Sequence, residues 1–178
     1  MLSLPRFFRD RRGVAAVEFA FVAPVLILIY MGLAEVTMAL MAERRAGHAT
    51  AAIADLIAQD TLTSKTEIDD IFAIGDKIVA PFASEGLTLR VTAIQSDNNG
   101  TPKVVWSRGK GALGGLAKGA TVTGLPSDLI TANETLIFSE MKYAFNSPVR
   151  YVIPDALTFH EKYYLRPRKL EMVNCVDC

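Results

Sequence analysis

The fold is decided by the stretch Arg11 to Phe19 (RRGVAAVEF), in which a basic segment meets a glycine and then a long apolar run. Residues 19–34 carry no charged side chain, and apolar composition continues beyond them. A helix rises about 1.5 Å per residue, and about 20 apolar residues cross the hydrocarbon core of a bilayer. Residues 14–42 are therefore predicted to form one membrane-spanning helix, with Glu18 and Glu35 near opposite interfaces.

The composition of this helix and of its flank is typical of a membrane anchor. Pro24 would cost about 3 kcal/mol in an exposed helix interior, but membrane helices tolerate proline more readily. Four arginines against one aspartate make the N-terminal head basic, which favours its retention in the cytoplasm; they are Arg6, Arg9, Arg11 and Arg12. We therefore expect the chain beyond the helix to be exported.

An ordinary secretory signal does not fit this segment. Such a signal has an apolar core of about 7–15 residues followed by a cleavage site with small residues. The apolar run here is longer, and no A-x-A site precedes a polar mature start. No cysteine lies near the helix, which excludes a lipoprotein signal. The candidate processing site instead precedes the apolar run, at Gly13.

This arrangement resembles the signal of type IV pilin-like proteins. The resemblance implies that a prepilin peptidase cuts between Gly13 and Val14 on the cytoplasmic side and leaves the helix on the mature protein. Glu18 would then be the fifth mature residue. A carboxylate in a membrane is costly unless it is paired, and the new amino group of a neighbouring subunit's Val14 is a suitable partner. The alternative is that Glu18 is an interfacial acid beside the arginines.

Residues 12–20 (RGVAAVEFA, which includes Phe19), followed by Pro24-Val25-Leu26, look like the TadE/TadF family of minor pseudopilins in tight-adherence (Tad, type IVc) pilus systems. Glu35, which closes the apolar run, also resembles that family's pattern. The resemblance implies three segments: a basic leader that is cleaved off (1–13), a transmembrane helix (14–42) and an exported α+β pseudopilin domain (43–178).

The resemblance also implies a function in the biogenesis of a Tad-type adhesive pilus, by initiation, capping or support. The expected partners are other pilins and pseudopilins through the N-terminal helix, prepilin peptidase, the inner-membrane Tad assembly platform and the lipid bilayer. The expected location is the bacterial inner membrane, which the chain crosses once, with its N-terminus in the cytoplasm and its C-terminal domain in the periplasm. Incorporation into the extracellular pilus is a further expectation. The alternative is an unprocessed, membrane-anchored periplasmic binding or scaffold module of an envelope complex.

The remainder of the chain predicts helices followed by strands. Helical composition continues to Asp60, so the membrane helix is expected to extend outward as one rod. Ser64 and Glu67 form a capping-box pattern that begins a second helix, and Pro81 is expected to end it.

From Gly86 the apolar pattern changes to a period of two, with a turn at residues 97–100, and further strands are predicted at residues 135–145 and 156–165. The predicted fold is α+β: a long N-terminal helix that continues into an exported domain, where a second helix packs on a roughly four-stranded antiparallel sheet.

No catalytic constellation emerges, and neither an enzyme nor a cofactor is expected. The glycine-rich segment 109–124 lacks the spacing of a phosphate-binding loop and is interpreted as a surface loop with mobility or a subunit contact. His160 and Glu161 are neighbours on a predicted strand and face opposite sides. With a formal net charge of zero, the chain has no general basic character, so nucleic-acid binding is not expected.

The two cysteines form a C-x-x-C that ends the sequence, Cys175 and Cys178. A thioredoxin-type site needs a helix after its first cysteine, for which no residues follow here. Zinc would need two further ligands, and the histidines available are His48 and His160. In an oxidising exported compartment a structural disulfide, local or between subunits, is the leading interpretation. Free thiols and a metal or redox site are the alternatives, and we expect no metal.

Overall fold

The computed structural model describes residues 13–126 and 128–178. The predicted basic leader therefore lies outside the described residues, except for Gly13 at its end. The described part of the chain has a long N-terminal helix, a second helix and a four-stranded antiparallel sheet on which the helices pack, which confirms the predicted α+β class.

Helix α1 (Val14–Gln59) is a single helix of 46 residues. At about 1.5 Å per residue it is roughly 69 Å long. Pro24 lies inside it without ending it. The predicted continuation of the N-terminal helix as one rod is confirmed, and Gly47 does not interrupt it. The first half of α1 is uncovered, whereas its second half forms one wall of the domain core.

Helix α2 (Lys65–Val79) begins as the capping pattern predicts. The Ser64 hydroxyl accepts a hydrogen bond from the Glu67 backbone N–H at 3.3 Å. The helix ends just before Pro81, whose fixed backbone cannot continue it. Its apolar side chains face α1 and the sheet, and five of its residues are buried: Ile68, Ile71, Phe72, Gly75 and Val79.

The sheet contains β2 (Leu87–Ser96), β3 (Pro102–Lys110), β4 (Thr135–Phe145) and β5 (Leu157–Leu165), in the spatial order β3-β2-β4-β5 with every pair antiparallel. The predicted turn joins β2 to β3: the Asp97 carboxylate accepts from the N–H groups of Asn99 and Thr101, and Gly100 adopts a positive φ of 79°. All four predicted strands are confirmed.

The main core lies between the helices and one face of this sheet. It is lined by alternate residues of β2 and β4, as their period of two predicts, including Leu89, Val91, Met141 and Tyr143. The edge strand β5 is covered less completely. Phe159 and Leu165 pack against the core, but Leu157 and Tyr163 on the same predicted face remain exposed.

The glycine-rich segment is an irregular, mostly exposed connection that follows β3. Together with the residues after it, it covers part of the second face of the sheet, where Val122 and Ile130 are buried in a smaller core with Ile94 and Phe138. A bridge between Lys103 and Thr121 attaches it to β3. Most of its side chains are nevertheless exposed, so the interpretation of this segment as a surface loop agrees with the structure, while its mobility and a subunit contact stay predictions.

The C-terminal segment returns to the helices. Strand β6 (Asn174–Cys175) pairs in parallel with the short strand β1 (Leu62–Thr63), which lies between α1 and α2. The indole N–H of Trp106 donates to the Val173 carbonyl at 2.8 Å. The end of the chain is thereby fixed to the sheet and to the junction of the helices. The sequence pattern did not predict this pairing.

Candidate functional site

Residues 14–34 of α1 form an apolar rod that the described residues leave largely uncovered. No residue from 14 to 34 is buried, and the exposed fractions reach 69% for Phe19, 76% for Phe21 and 70% for Tyr30. In the described part of the chain, this is the one helix long and apolar enough to cross a membrane. Exposing so many large apolar side chains to water is unfavourable, so this half requires a lipid or protein environment.

Gly13 and Val14 lie at the exposed start of this helix. The Gly13 carbonyl accepts the first helical hydrogen bond, from the Val17 N–H at 3.1 Å. Gly13 has a φ of −89°, which any residue can adopt, and a Cβ built on it meets no described atom within 4 Å. The described fold therefore does not require glycine at this position.

Glu18 is exposed one turn beyond Val14, on the apolar rod. No described residue forms an ion pair with it. Seventeen residues separate it from Glu35, or roughly 25 Å along the helix axis. The structure therefore places the predicted processing and assembly residues together at one end of α1. Pro24 lies exposed between Glu18 and Glu35.

Glu35 has a different environment, because its side chain is fully buried. Its Oε2 atom accepts a hydrogen bond from the Val152 backbone N–H at 2.6 Å. Val152 belongs to the connection between β4 and β5, far from α1 in sequence. Glu35 is thus the first buried residue of α1, and its side chain attaches that connection to the helix. Sequence reasoning assigned Glu35 to the end of the apolar run but could not identify this partner.

The two cysteines lie at disulfide distance and are joined within the chain, with Cα atoms 5.6 Å apart. Asp177, between them, accepts a hydrogen bond from the Lys65 N–H at 2.8 Å, at the start of α2. Ligand atoms of Cys175, Asp177 and Cys178 lie within 4.8 Å of one another. The sulphur atoms are bonded to each other, however, and a thiolate is the form that binds metal. The arrangement therefore suits a structural staple that positions Asp177.

The basic exit of β5 is also tied to the fold. Arg166 forms an ion pair with Glu134 at 2.9 Å, and Arg168 pairs with Asp55 on α1. The Arg168 backbone N–H donates to the Ala58 carbonyl at 2.9 Å. Both arginine side chains remain largely exposed while they pair with acids of the same chain.

These features define the class of protein: an α+β domain on a long helix whose first half is apolar and largely uncovered. Residues 13–55 match the family model described as TadE-like protein, so over this segment the chain is similar to the TadE-like family. The match begins at Gly13. No curated protein and no solved structure matches the chain.

The TadE-like family consists of pilin-like proteins associated with Tad pili. Proteins of the family are generally structural rather than enzymatic. The apolar N-terminal helix is consistent with a membrane anchor, and the family indicates a location in the cell envelope. The resemblance drawn from the sequence motif is confirmed at this level.

Proposed function

We propose that this protein is a minor pilin-like subunit that takes part in the biogenesis of a Tad-type pilus, by initiation, capping or support. In this proposal, prepilin peptidase removes residues 1–13 and the mature protein begins at Val14. The helix then packs with the helices of other pilins, first at the inner-membrane assembly platform. The observation that carries the proposal is the exposed apolar half of α1, which bears Glu18 near its start and lies within the TadE-like match.

The burial pattern of α1 supports two different roles along the helix, a bilayer-spanning part followed by a part that packs on the domain. Residues 14–34 extend over roughly 31 Å, close to the thickness of the hydrocarbon core of a bilayer. Ala39 and Ala42, within the predicted span, are buried against the domain. We therefore place the end of the bilayer-spanning part near Glu35, with the periplasmic domain directly above it.

Gly13 supports the processing step. Glycine is needed in a fold where φ is positive or where a Cβ would clash, and neither condition applies here among the described residues. A requirement from an external partner, such as the binding cleft of a peptidase, is consistent with this position. Its exposure at the start of the helix leaves the bond to Val14 accessible.

Glu18 supports the assembly step. A carboxylate on an apolar rod is costly in lipid unless a positive charge accompanies it. In the proposal, the new α-amino group of Val14 on a neighbouring subunit supplies that charge and sets the axial register between packed helices. The processed terminus and Glu18 are one turn apart, so a small axial offset between neighbouring subunits brings them together.

The test replaces Glu18 by alanine in cells that produce the pilus. We expect Glu18→Ala to be cleaved normally, because the scissile bond is intact, but to reduce piliation, counted by electron microscopy of whole cells. The matched control is Val17→Ala, which shortens an exposed neighbouring side chain without removing a charge. Normal piliation by Glu18→Ala would overturn the pairing role.

The competing function is a permanently anchored periplasmic scaffold. It predicts that the protein keeps its leader and is absent from sheared pilus preparations, and that Glu18→Ala leaves piliation unchanged. A mature protein recovered with the pilus fraction would exclude it.

A further inference from the structure

The connection between β4 and β5, residues 146–156, lies against α1 where the uncovered half of the helix ends. We call it the β4–β5 loop. Its Val152 N–H is held by the buried carboxylate of Glu35. A Cβ built on Gly32, one turn nearer the N-terminus, would lie 3.0 Å from the Val152 side chain. The loop is therefore in close contact with the last turn of the exposed apolar helix.

The loop has a defined internal structure. Ser147 is buried, and its hydroxyl accepts hydrogen bonds from the N–H groups of Val149 and Arg150, each at 3.3 Å. Arg150 has a φ of 55°, in the left-handed region that residues other than glycine seldom adopt. The Ser147 turn and the Glu35 contact together fix the backbone on both sides of Tyr151.

The side chains that this loop exposes are unlike those of an ordinary solvated turn. Tyr151 is 55% exposed and Val152 51% exposed, and Leu157, where the loop enters β5, is also exposed. Arg150 is exposed next to Tyr151. An aromatic side chain with apolar neighbours and a cation is the composition that favours the interface between lipid headgroups and hydrocarbon.

We infer that the β4–β5 loop is a second membrane contact, inserted at the headgroup level of the leaflet from which α1 emerges. The inference rests on the proposed bilayer-spanning role of residues 14–34. If that segment spans the bilayer, Gly32 lies at its outer boundary, and Val152, which contacts Gly32, lies at the same depth. Two attachments, the helix and the loop, then fix the tilt of the exported domain on the membrane.

The opposite end of the sheet provides an internal control. The strand register places Leu87 of β2 beside Tyr143 of β4, near the loop, and Gln95 beside Thr135 at the other end. The turn after β2, which carries exposed Asn99, therefore lies roughly 30 Å from the loop at about 3.3 Å per residue. That turn should face away from the bilayer.

The experiment uses tryptophan emission from the full chain in vesicles of phosphatidylethanolamine and phosphatidylglycerol. The acyl chains are brominated near the headgroup in one preparation and near the bilayer centre in another. The single native tryptophan, Trp106, is 5% exposed and gives the baseline. We expect Tyr151→Trp to lose a larger fraction of its emission than the wild type, most with bromine near the headgroup. Asn99→Trp should lose no more than the wild type.

A third variant separates this inference from the proposed membrane span. Phe21→Trp, within the exposed half of α1, should be quenched most by bromine near the bilayer centre. If Phe21→Trp is quenched but Tyr151→Trp behaves like Asn99→Trp, the loop does not contact lipid and the inference falls alone. If neither Phe21→Trp nor Tyr151→Trp is quenched, the membrane span fails and the inference falls with it.

Discussion

Asp177 connects the end of the chain to the start of α2, where unpaired backbone N–H groups favour an anion. We expect Asp177→Ala to lower the free energy of unfolding by about 1 kcal/mol, the usual size of a lost helix cap. The measurement is denaturant unfolding in detergent, followed by emission of Trp106, which is hydrogen-bonded to Val173 nearby. Asp155→Ala, at an exposed position in the β4–β5 loop, is the control and should change stability little.

The disulfide between the two cysteines allows the cap from Asp177 to be tested in a second way. Reduction of the disulfide between Cys175 and Cys178 should release the segment that carries Asp177, so Asp177→Ala should cost less in the reduced protein. An equal effect in both redox states would show that the disulfide does not position the carboxylate.

The proposed cleavage site can be tested at Gly13. We expect Gly13→Lys to block removal of the leader, because a long charged side chain would occupy the position next to the scissile bond. Intact mass spectrometry of the membrane protein will then give the full-length chain. Gly114→Lys is the matched control, since Gly114 is also exposed and a Cβ there meets no described atom within 4 Å. Cleavage of Gly13→Lys at the same bond as the wild type would refute the assignment.

At the scale of secondary structure, two ion pairs attach α2 to β3. Arg108 donates from Nε and Nη2 to the two carboxylate oxygens of Asp69, at 3.0 and 2.6 Å, and Lys110 pairs with Asp76. Asp69 and Asp76 are two helical turns apart, so they lie on one face of α2. Arg108 and Lys110 are two residues apart on β3, so they lie on one face of the sheet. This pairing connects the helical layer to the edge of the sheet.

The Asp69 pair predicts a pH dependence. The hydrogen bond from Arg108 lowers the pKa of Asp69 below its ordinary value of 3.8. Its stabilisation is therefore fully present above pH 3.8 and is lost as the pH falls through the lowered pKa. We expect Asp69→Asn to be less stable than the wild type at neutral pH, with a difference that shrinks in acid and in high salt.

Urea unfolding across this pH range will measure that difference, with the neighbouring exposed Asp70→Asn as control. A difference between Asp69→Asn and the wild type that does not change with pH would contradict the role of the charge.

The elements themselves were predictable because each has a local cause. The charge-free apolar run predicts α1, and the period of two predicts the strands. The Ser64 cap and Pro81 mark where α2 begins and ends. The composition of the glycine-rich segment predicts an exposed loop, but it does not predict that Val122 is buried on the second face of the sheet. The β1–β6 pair, at two residues per strand, is too short to leave a periodic pattern.

Some residues of the candidate site can likewise be predicted from local sequence, and others cannot. Gly13, Val14 and Glu18 could be proposed from the sequence because the pattern that singles them out is their spacing at the start of one helix, and their roles stay predictions. The contact between Glu35 and Val152, the cap from Asp177 and the pair between Arg168 and Asp55 each join distant parts of the chain. Such contacts depend on how the elements pack, which no local pattern records.

At the scale of the whole molecule, α1 has two different surroundings along its length. Its second half is enclosed by α2, the sheet and the C-terminal segment, and Arg168 ties that segment to the helix. Its first half has no such cover among the described residues. The molecule therefore has a folded domain with an uncovered helical extension, the arrangement that the proposed insertion into a bilayer and packing with other helices both require.

The most direct test of this account is the N-terminal residue of the wild-type protein isolated from its native membrane. Intact mass and terminal peptide mapping will determine it in cells with active prepilin peptidase. The account predicts a chain that begins at Val14, with the leader removed and α1 retained. A chain that still begins at Met1 would contradict it and favour the permanently anchored scaffold.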